Sequence, residues 1–194
     1  MLETTTLTER FERALVFAHR LHGQQRRKGS DIPYISHLMS VSALVLEMGG
    51  NESEAIAGLL HDAIEDQGGE ATRQAICEQF GPEVADIVQG CTDCDTHPKP
   101  PWLERKRRYL RQLQMAPVSV RRVALADKLH NARSTLFDLE QWGPEVWQKF
   151  QGGREGSLWY YNSLVKIFDE TRETVWSREF KRIVSALNTY GISA

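Results

Sequence analysis

Directly behind an apolar run that ends at Leu60, the chain places one histidine and three carboxylates within six residues: His61, Asp62, Glu65 and Asp66. An imidazole and carboxylates at that density can share a divalent cation or move a proton to and from water. On one helix with His61 at 0°, Glu65 lies at about 40°, Asp62 at about 100° and Asp66 at about 140°. Ile56, Leu59, Leu60, Ala63 and Ile64 fill the opposite arc. Such an arc can serve as an ordinary wet helix face. Two features weigh toward a site. Ala55 and Gly58, on the same arc, leave room above the backbone. Three neighbouring acids also repel by about a few tenths of a kcal/mol per i,i+4 pair, which a cation would relieve.

Two other stretches carry groups of the same kind. In LADKLHNAR, Asp127 and Asn131 are i,i+4 neighbours, and Asp127 sits in the apolar sequence VALADKL. An unpaired carboxylate there is costly, so a basic side chain or a metal is expected beside it. In PYISHL, His37 opens a helix behind a Pro-Tyr turn; alone it reads more readily as a cap or a satisfied core residue than as a ligand. A basic loop, QQRRKG, precedes it and by itself reads as an exposed turn.

The elements that must position these groups are helical nearly throughout. Thr6 to Glu9 reads as a capping box for a helix ending at Gly23. Further helices are expected at about 36–48, 52–66, 70–80, 82–89, 102–114 and 118–141, with one or two more over 155–190. CTDCDTHPKPP, with three prolines, is a loop. No alternating run reads as a strand. The expected class is all-α, a bundle of roughly eight or nine helices in a single domain over residues 1–194.

Composition excludes several classes. The chain of 194 residues is 41% hydrophobic and 26% charged, as in ordinary globular proteins. A formal net charge of -2 argues against nucleic-acid binding, which draws affinity from phosphate neutralisation. No apolar run approaches the ~20 residues that span a bilayer, and the polar N-terminus is unlike a signal peptide. Three cysteines suit a reducing cytoplasm better than a disulfide framework. Cys91-x-x-Cys94 followed by His97 is a single pair and a weak metal signal. ERKRRYLR reads as the solvated face of a helix with Leu103 and Leu110 inward, and the five tryptophans (Trp102, Trp142, Trp147, Trp159, Trp176) as C-terminal core. Tyr160 or Tyr161 could stack on a purine; nothing in the sequence selects either.

In order along the chain, FAHRLHGQQRRKGSDIPYISH, AGLLHDAIED, FGPEVADIVQGCT, ERKRRYL and LADKLHNAR resemble the hydrolase domain of Rel/Spo alarmone enzymes. These belong to the HD-domain metallophosphohydrolases, whose ligand pattern is H…HD…D. The resemblance covers roughly residues 10 to 140. The length leaves no room for the synthetase and regulatory domains of the long Rel/Spo proteins, so the likeness is to stand-alone small alarmone hydrolases. It implies an HD-domain bundle with its motifs in 24–134 and C-terminal helices of 144–190 packing on it. It implies His37, His61, Asp62 and Asp127 as metal ligands, with Mn²⁺ the family's ion; ligand type leaves Fe, Co and Zn open. Glu65 and Asp66 match the catalytic pair, Arg27 and Lys28 the substrate-binding basic residues, and Asn131 a nucleoside contact. The implied reaction removes the 3′-diphosphate of guanosine tetra- or pentaphosphate, giving GDP or GTP and pyrophosphate. The alternatives are the same site acting on another phosphorylated small molecule, such as a nucleotide or NADPH, and a metal-containing binding module without turnover. A homo-oligomer stays open.

Overall fold

The apolar stretch from Ala55 to Leu60 becomes part of the central helix. The computed structural model describes residues 5–96, 98–171 and 174–191. Among them run ten α-helices: α1 (Glu9–His22), α2 (Ile35–Glu47), α3 (Glu52–Leu60), α4 (Ala63–Asp66), α5 (Glu70–Phe80), α6 (Pro82–Cys91), α7 (Trp102–Met115), α8 (Val118–Trp142), α9 (Gly153–Thr171) and α10 (Val175–Thr189). A 3-10 helix, Pro144–Lys149, joins α8 to α9. Among the described residues the extended pairing is one bridge, Arg26 with Pro33, which pinches the basic loop. The all-α class expected from periodicity is the one observed. No helix is long and apolar enough to cross a membrane among the described residues.

Helix α3 starts where its sequence can satisfy the free N–H groups. The Asn51 side chain accepts from Glu54 N–H (2.9 Å) and the Glu54 carboxylate from Asn51 N–H (2.8 Å), a reciprocal cap. Glu54 also pairs with Arg122 of α8. Every residue from Ser53 to Leu60 is buried, because α1, α2, α6 and α8 all pack around this helix. The expected two-faced helix is therefore corrected: α3 is covered on all sides. The expected continuous helix over 52–66 is corrected as well, since it breaks at His61 and Asp62, and α4 begins anew at Ala63. That break takes the helix count past eight or nine.

The space over Ala55 and Gly58 is not open. Helix α2 crosses there, with Ser42 Oγ donating to Ala55 O (2.8 Å), and a Cβ on Gly58 would lie 3.0 Å from Ser42 Cα. The neighbour is backbone and cannot swing aside. Gly58→Ala is thus expected to lower stability by about 1–3 kcal/mol despite alanine's better helix propensity, read as a lower thermal midpoint. A midpoint at or above that of the parent would contradict the close crossing.

At the N-terminus the cap is Thr8, whose hydroxyl accepts from Arg10 N–H (3.2 Å), rather than Thr6; the hydroxyl of Thr8 also donates to Glu52. At the other end α9 and α10 pack as a hairpin on α8, with the Phe180 ring 5.7 Å from that of Phe168 and 6.2 Å from that of Tyr161. Of the tryptophans Trp147 is buried, Trp102, Trp159 and Trp176 are partly buried, and Trp142, at the end of α8, is 66% exposed. Trp142 is core in expectation only: it is the last residue of α8 and its side chain faces solvent.

Candidate metal centre and its cavity

Four donors from three parts of the chain meet in the interior. His37 lies in the first turn of α2, His61 and Asp62 at the α3–α4 break, and Asp127 in the middle of α8. His37 Nε2 is 3.2 Å from His61 Nε2, 3.3 Å from Asp127 Oδ1 and 3.7 Å from Asp62 Oδ2. His61 Nε2 is 3.0 Å from Asp62 Oδ2 and 3.6 Å from Asp127 Oδ1. On a continuous helix adjacent side chains diverge by about 100°. His61 and Asp62 occupy the turn between α3 and α4, and their side chains reach one point there.

The outward-facing atoms of these donors are already satisfied. Gly58 O, which can only accept, takes the Nδ1–H of His61 (2.8 Å) and leaves Nε2 with its lone pair toward the cluster. His37 Nδ1 lies 2.9 Å from His130 Nδ1. Burial, then the neighbouring His37 and Arg27, push His130 down to about 4, so it is neutral and can accept from His37. Tyr34 Oη donates to Asp62 Oδ2 (2.6 Å). Asp127 takes Lys128 Nζ on Oδ2 and Asn131 Nδ2 on Oδ1, each at 2.5 Å, so its expected partner is a lysine as well as the cluster.

Electrostatics give the cluster an appetite for positive charge. Burial works against charge on His61, yet Asp62 and Asp127 outweigh it and hold the imidazole well above its usual range. Burial raises both carboxyls as well; His61 and Lys128 respectively oppose it, and both stay well below the usual carboxylate range. A proton on His61 here occupies the place a cation can take. Two imidazole nitrogens and two carboxylate oxygens fit a divalent ion of borderline hardness. Among the described residues, His37, His61 and Asp127 form a group whose ligand atoms lie within 4.8 Å of one another.

Beside the cluster opens a cavity of about 660 Å³. Arg27, Lys28 and Asn131 line one part of it, with Arg27 Nη2 donating to Asn131 Oδ1 (2.9 Å). Glu65 also lines it; its Oε1 accepts from Lys99 (2.8 Å) and its Oε2 from Asp93 N–H (3.3 Å). Asp66 is set apart from this wall and accepts from Gln25 Nε2 (2.8 Å). Burial, then Asp62, raises its carboxyl above the usual range.

Several residues of this site escape sequence reasoning. Helix α7 turns inward a face only partly the one expected: Leu110 packs against the core, but Leu103 is 43% exposed, and Arg105, Tyr109 and Leu113, at i,i+4 spacing, are buried. Arg105 (2.5 Å) and Lys106 (2.9 Å) both grip Asp93, and both line the cavity. The ERKRRYLR run is therefore in part a cavity wall; the apolar positions Tyr109 and Leu113, one and two turns on from Arg105, are the signal that could have shown it. Tyr160 and Tyr161 line the cavity together, with Lys106 Nζ 4.9 Å from the Tyr160 ring. Lys99, within the proline-rich stretch, and the Asp93 N–H, before it, both meet Glu65. Cys91 and Cys94 have separate partners, Val120 O and Thr96, and His97 lies outside the described residues.

A helical bundle with such a buried donor set beside a basic cavity defines the class of all-α proteins that hold a divalent cation against an anionic ligand. The HD domain model matches residues 14–158, and the chain belongs to the HD-domain family. It is 38% identical over 136 residues to the guanosine-3′,5′-bis(diphosphate) 3′-pyrophosphohydrolase MESH1 of Homo sapiens, a match spanning 69% of this chain and 71% of that one. A probable enzyme of the same name from Synechocystis sp. is 38% identical over 125 residues, of which the chain spans only 16% of the length. The solved structure of a metazoan ortholog of SpoT that hydrolyses ppGpp superposes with a TM-score of 0.78 at 27% identity, covering 94% of this chain and 98% of that one.

Proposed function

We propose that this chain hydrolyses guanosine tetra- and pentaphosphate at the 3′-diphosphate, releasing pyrophosphate and leaving GDP or GTP. The observation that carries the reading is the placement of a two-histidine, two-carboxylate cluster beside a cavity walled by Arg27, Lys28, Lys106 and Lys128. A nucleoside with a diphosphate at each end needs both features. The names of the relatives, human and bacterial, support the same substrate.

In this reading His37, His61, Asp62 and Asp127 hold one divalent ion, Mn²⁺. When bound, the ion acts as a Lewis acid on the diphosphate and lowers the pKa of water beside it. Glu65 and Asp66 orient that water and take its proton. Lys99 holds the Glu65 carboxylate in place until the substrate arrives. Arg27 and Lys28 neutralise the diphosphate, with Asn131 at the nucleoside. Water adds across the 3′-oxygen–phosphorus bond: pyrophosphate gains the hydroxyl and the 3′-oxygen leaves with a proton. One catalytic unit spans the motifs of 24–134 and the helices of 144–190.

The test is pyrophosphate release from ppGpp and pppGpp by Mn²⁺-loaded protein, set against NADPH and common nucleotides. Turnover of ppGpp at least about 100-fold above any substrate without a 3′-diphosphate is expected, the discrimination given by a site built to pair groups the others lack. No pyrophosphate from ppGpp would overturn the substrate.

A further inference from the structure

Helices α7 and α9 run side by side along one wall of the cavity. At its far end the Trp102 indole rests on two glycines: an added Cβ would lie 2.8 Å from the ring at Gly152 and 3.1 Å at Gly156. Trp159 meets the same ring in a T-shaped contact, 6.2 Å between centroids. One turn further along both helices, Lys106 Nζ lies 4.9 Å from the Tyr160 ring. Near the next turn of α7 the Tyr109 ring lies 5.3 Å from Lys128 Nζ, which bonds Asp127 of the donor cluster. Tyr109 thus marks the level of the cluster, Lys106 the middle of the wall, and Trp102, two helical turns or ~10 Å from Tyr109, its far end.

The cations of the lining differ in how far they are neutralised. Asp127 holds Lys128, and Asp138 holds Lys149. Arg105 and Lys106 share one oxygen of Asp93, so two positive charges meet one negative. That surplus lies on the α7 wall, whereas Arg27 and Lys28 come from the basic loop.

We infer that the 5′-phosphates of the substrate lie along Arg105 and Lys106 and that Trp102 is a specificity-determining residue, closing the cavity past them and limiting the length of the 5′ group. This rests on the proposed substrate, a nucleoside whose 3′-diphosphate sits at the donor cluster. A ligand that reaches further meets an indole seated against glycine, with no side chain behind it to swing aside. Close-packed contacts of this kind yield only at a cost. The glycines let the ring lie back, and a methyl on Gly152 would push it toward the ligand.

The test uses ppGpp esterified at its 5′-terminal phosphate with methyl or with cyclohexyl, two ligands of equal charge and different bulk. With Mn²⁺-loaded parent, kcat/KM for the cyclohexyl ester is expected at least about tenfold below that for the methyl ester, the cost of overfilling a packed wall. Trp102→Ala should close the gap to within about threefold, and Trp102→Phe, which keeps a smaller ring on the same seat, should fall between. Gly152→Ala should widen the gap. Trp102→Ala and Gly152→Ala both disturb the α7–α9 contact, so a packing role alone would not move selectivity in opposite directions. Metal content should match the parent in all three variants. No gap in the parent, or a gap that neither tryptophan variant narrows, overturns the inference. If the parent releases no pyrophosphate from ppGpp, the proposed substrate falls, and the same ratios are read by calorimetry as dissociation constants of the unreacted ligands. Failure of ppGpp to bind at all removes both.

Discussion

Asp127→Ala is expected to strip the protein of its divalent cation and to end turnover. Asp127 Oδ1 faces both histidine Nε2 atoms, at 3.3 and 3.6 Å, so its removal takes away one of the two anionic donors. Loss of an outer partner alone weakens metal sites by about 10–100-fold; loss of a charged donor should exceed that. The variant also strands Lys128, whose Nζ lies 2.5 Å from Asp127 Oδ2 and whose ammonium is held by that carboxylate against the pull of burial. Breaking such a pair from one side costs about 3 kcal/mol. Asp127→Asn separates the two losses, because the shape remains and one oxygen can still accept. Metal content after dialysis, with the thermal midpoint alongside, decides the matter. Asp127→Asn that retains stoichiometric metal at parental affinity would remove Asp127 from the ligand set.

Glu65→Gln should behave in the opposite way, keeping its metal and losing its chemistry. Among the described residues Glu65 bonds to Lys99 and the Asp93 N–H rather than to a histidine, and it stands on the cavity wall. An amide of the same length preserves the packing and cannot take a proton. General-base assistance contributes about 10²–10⁴-fold, so kcat should drop by that range at unchanged metal content. The amide also weakens the hold on Lys99, and this should appear in KM by less than about tenfold. Activity within a factor of about three of the parent would mean that Glu65 is not the base.

Local signals reached the donors and not the way they meet. His61-Asp62 stands out by density, Asp127 by its apolar surroundings, and His37 only in company with the other two. Their convergence at 3–4 Å joins α2, the turn after Leu60 and α8, and LLHDAIED contains no glycine or proline to announce that turn. Tertiary packing decides there, since α3 is enclosed and its last turn must deliver two neighbouring side chains to one point. Arg105 illustrates the same limit. A charged residue on a charge-rich helix reads as wet unless its partner is known, and the partner, Asp93, lies in a proline-rich loop without periodicity. His130 is i,i+3 from Asp127, so its helix face was legible; its contact with His37, 93 positions away in sequence, was not. The helical class was legible because period 3.6 is a local property.

The span between His37 and α8 has a consequence for how the protein comes to be loaded. A chain growing from its N-terminus has made His37, His61 and Asp62 long before it makes Asp127, and the first three alone offer one carboxylate and two imidazoles. The site is complete only after α8 has folded against α2 and α3. With the proposed ligand set, cation capture is expected to be a late event of biogenesis, carried out by a nearly finished bundle. An ion held by the proposed ligands would then tie the first third of the chain to the second, a closure whose entropy the folded chain has already met.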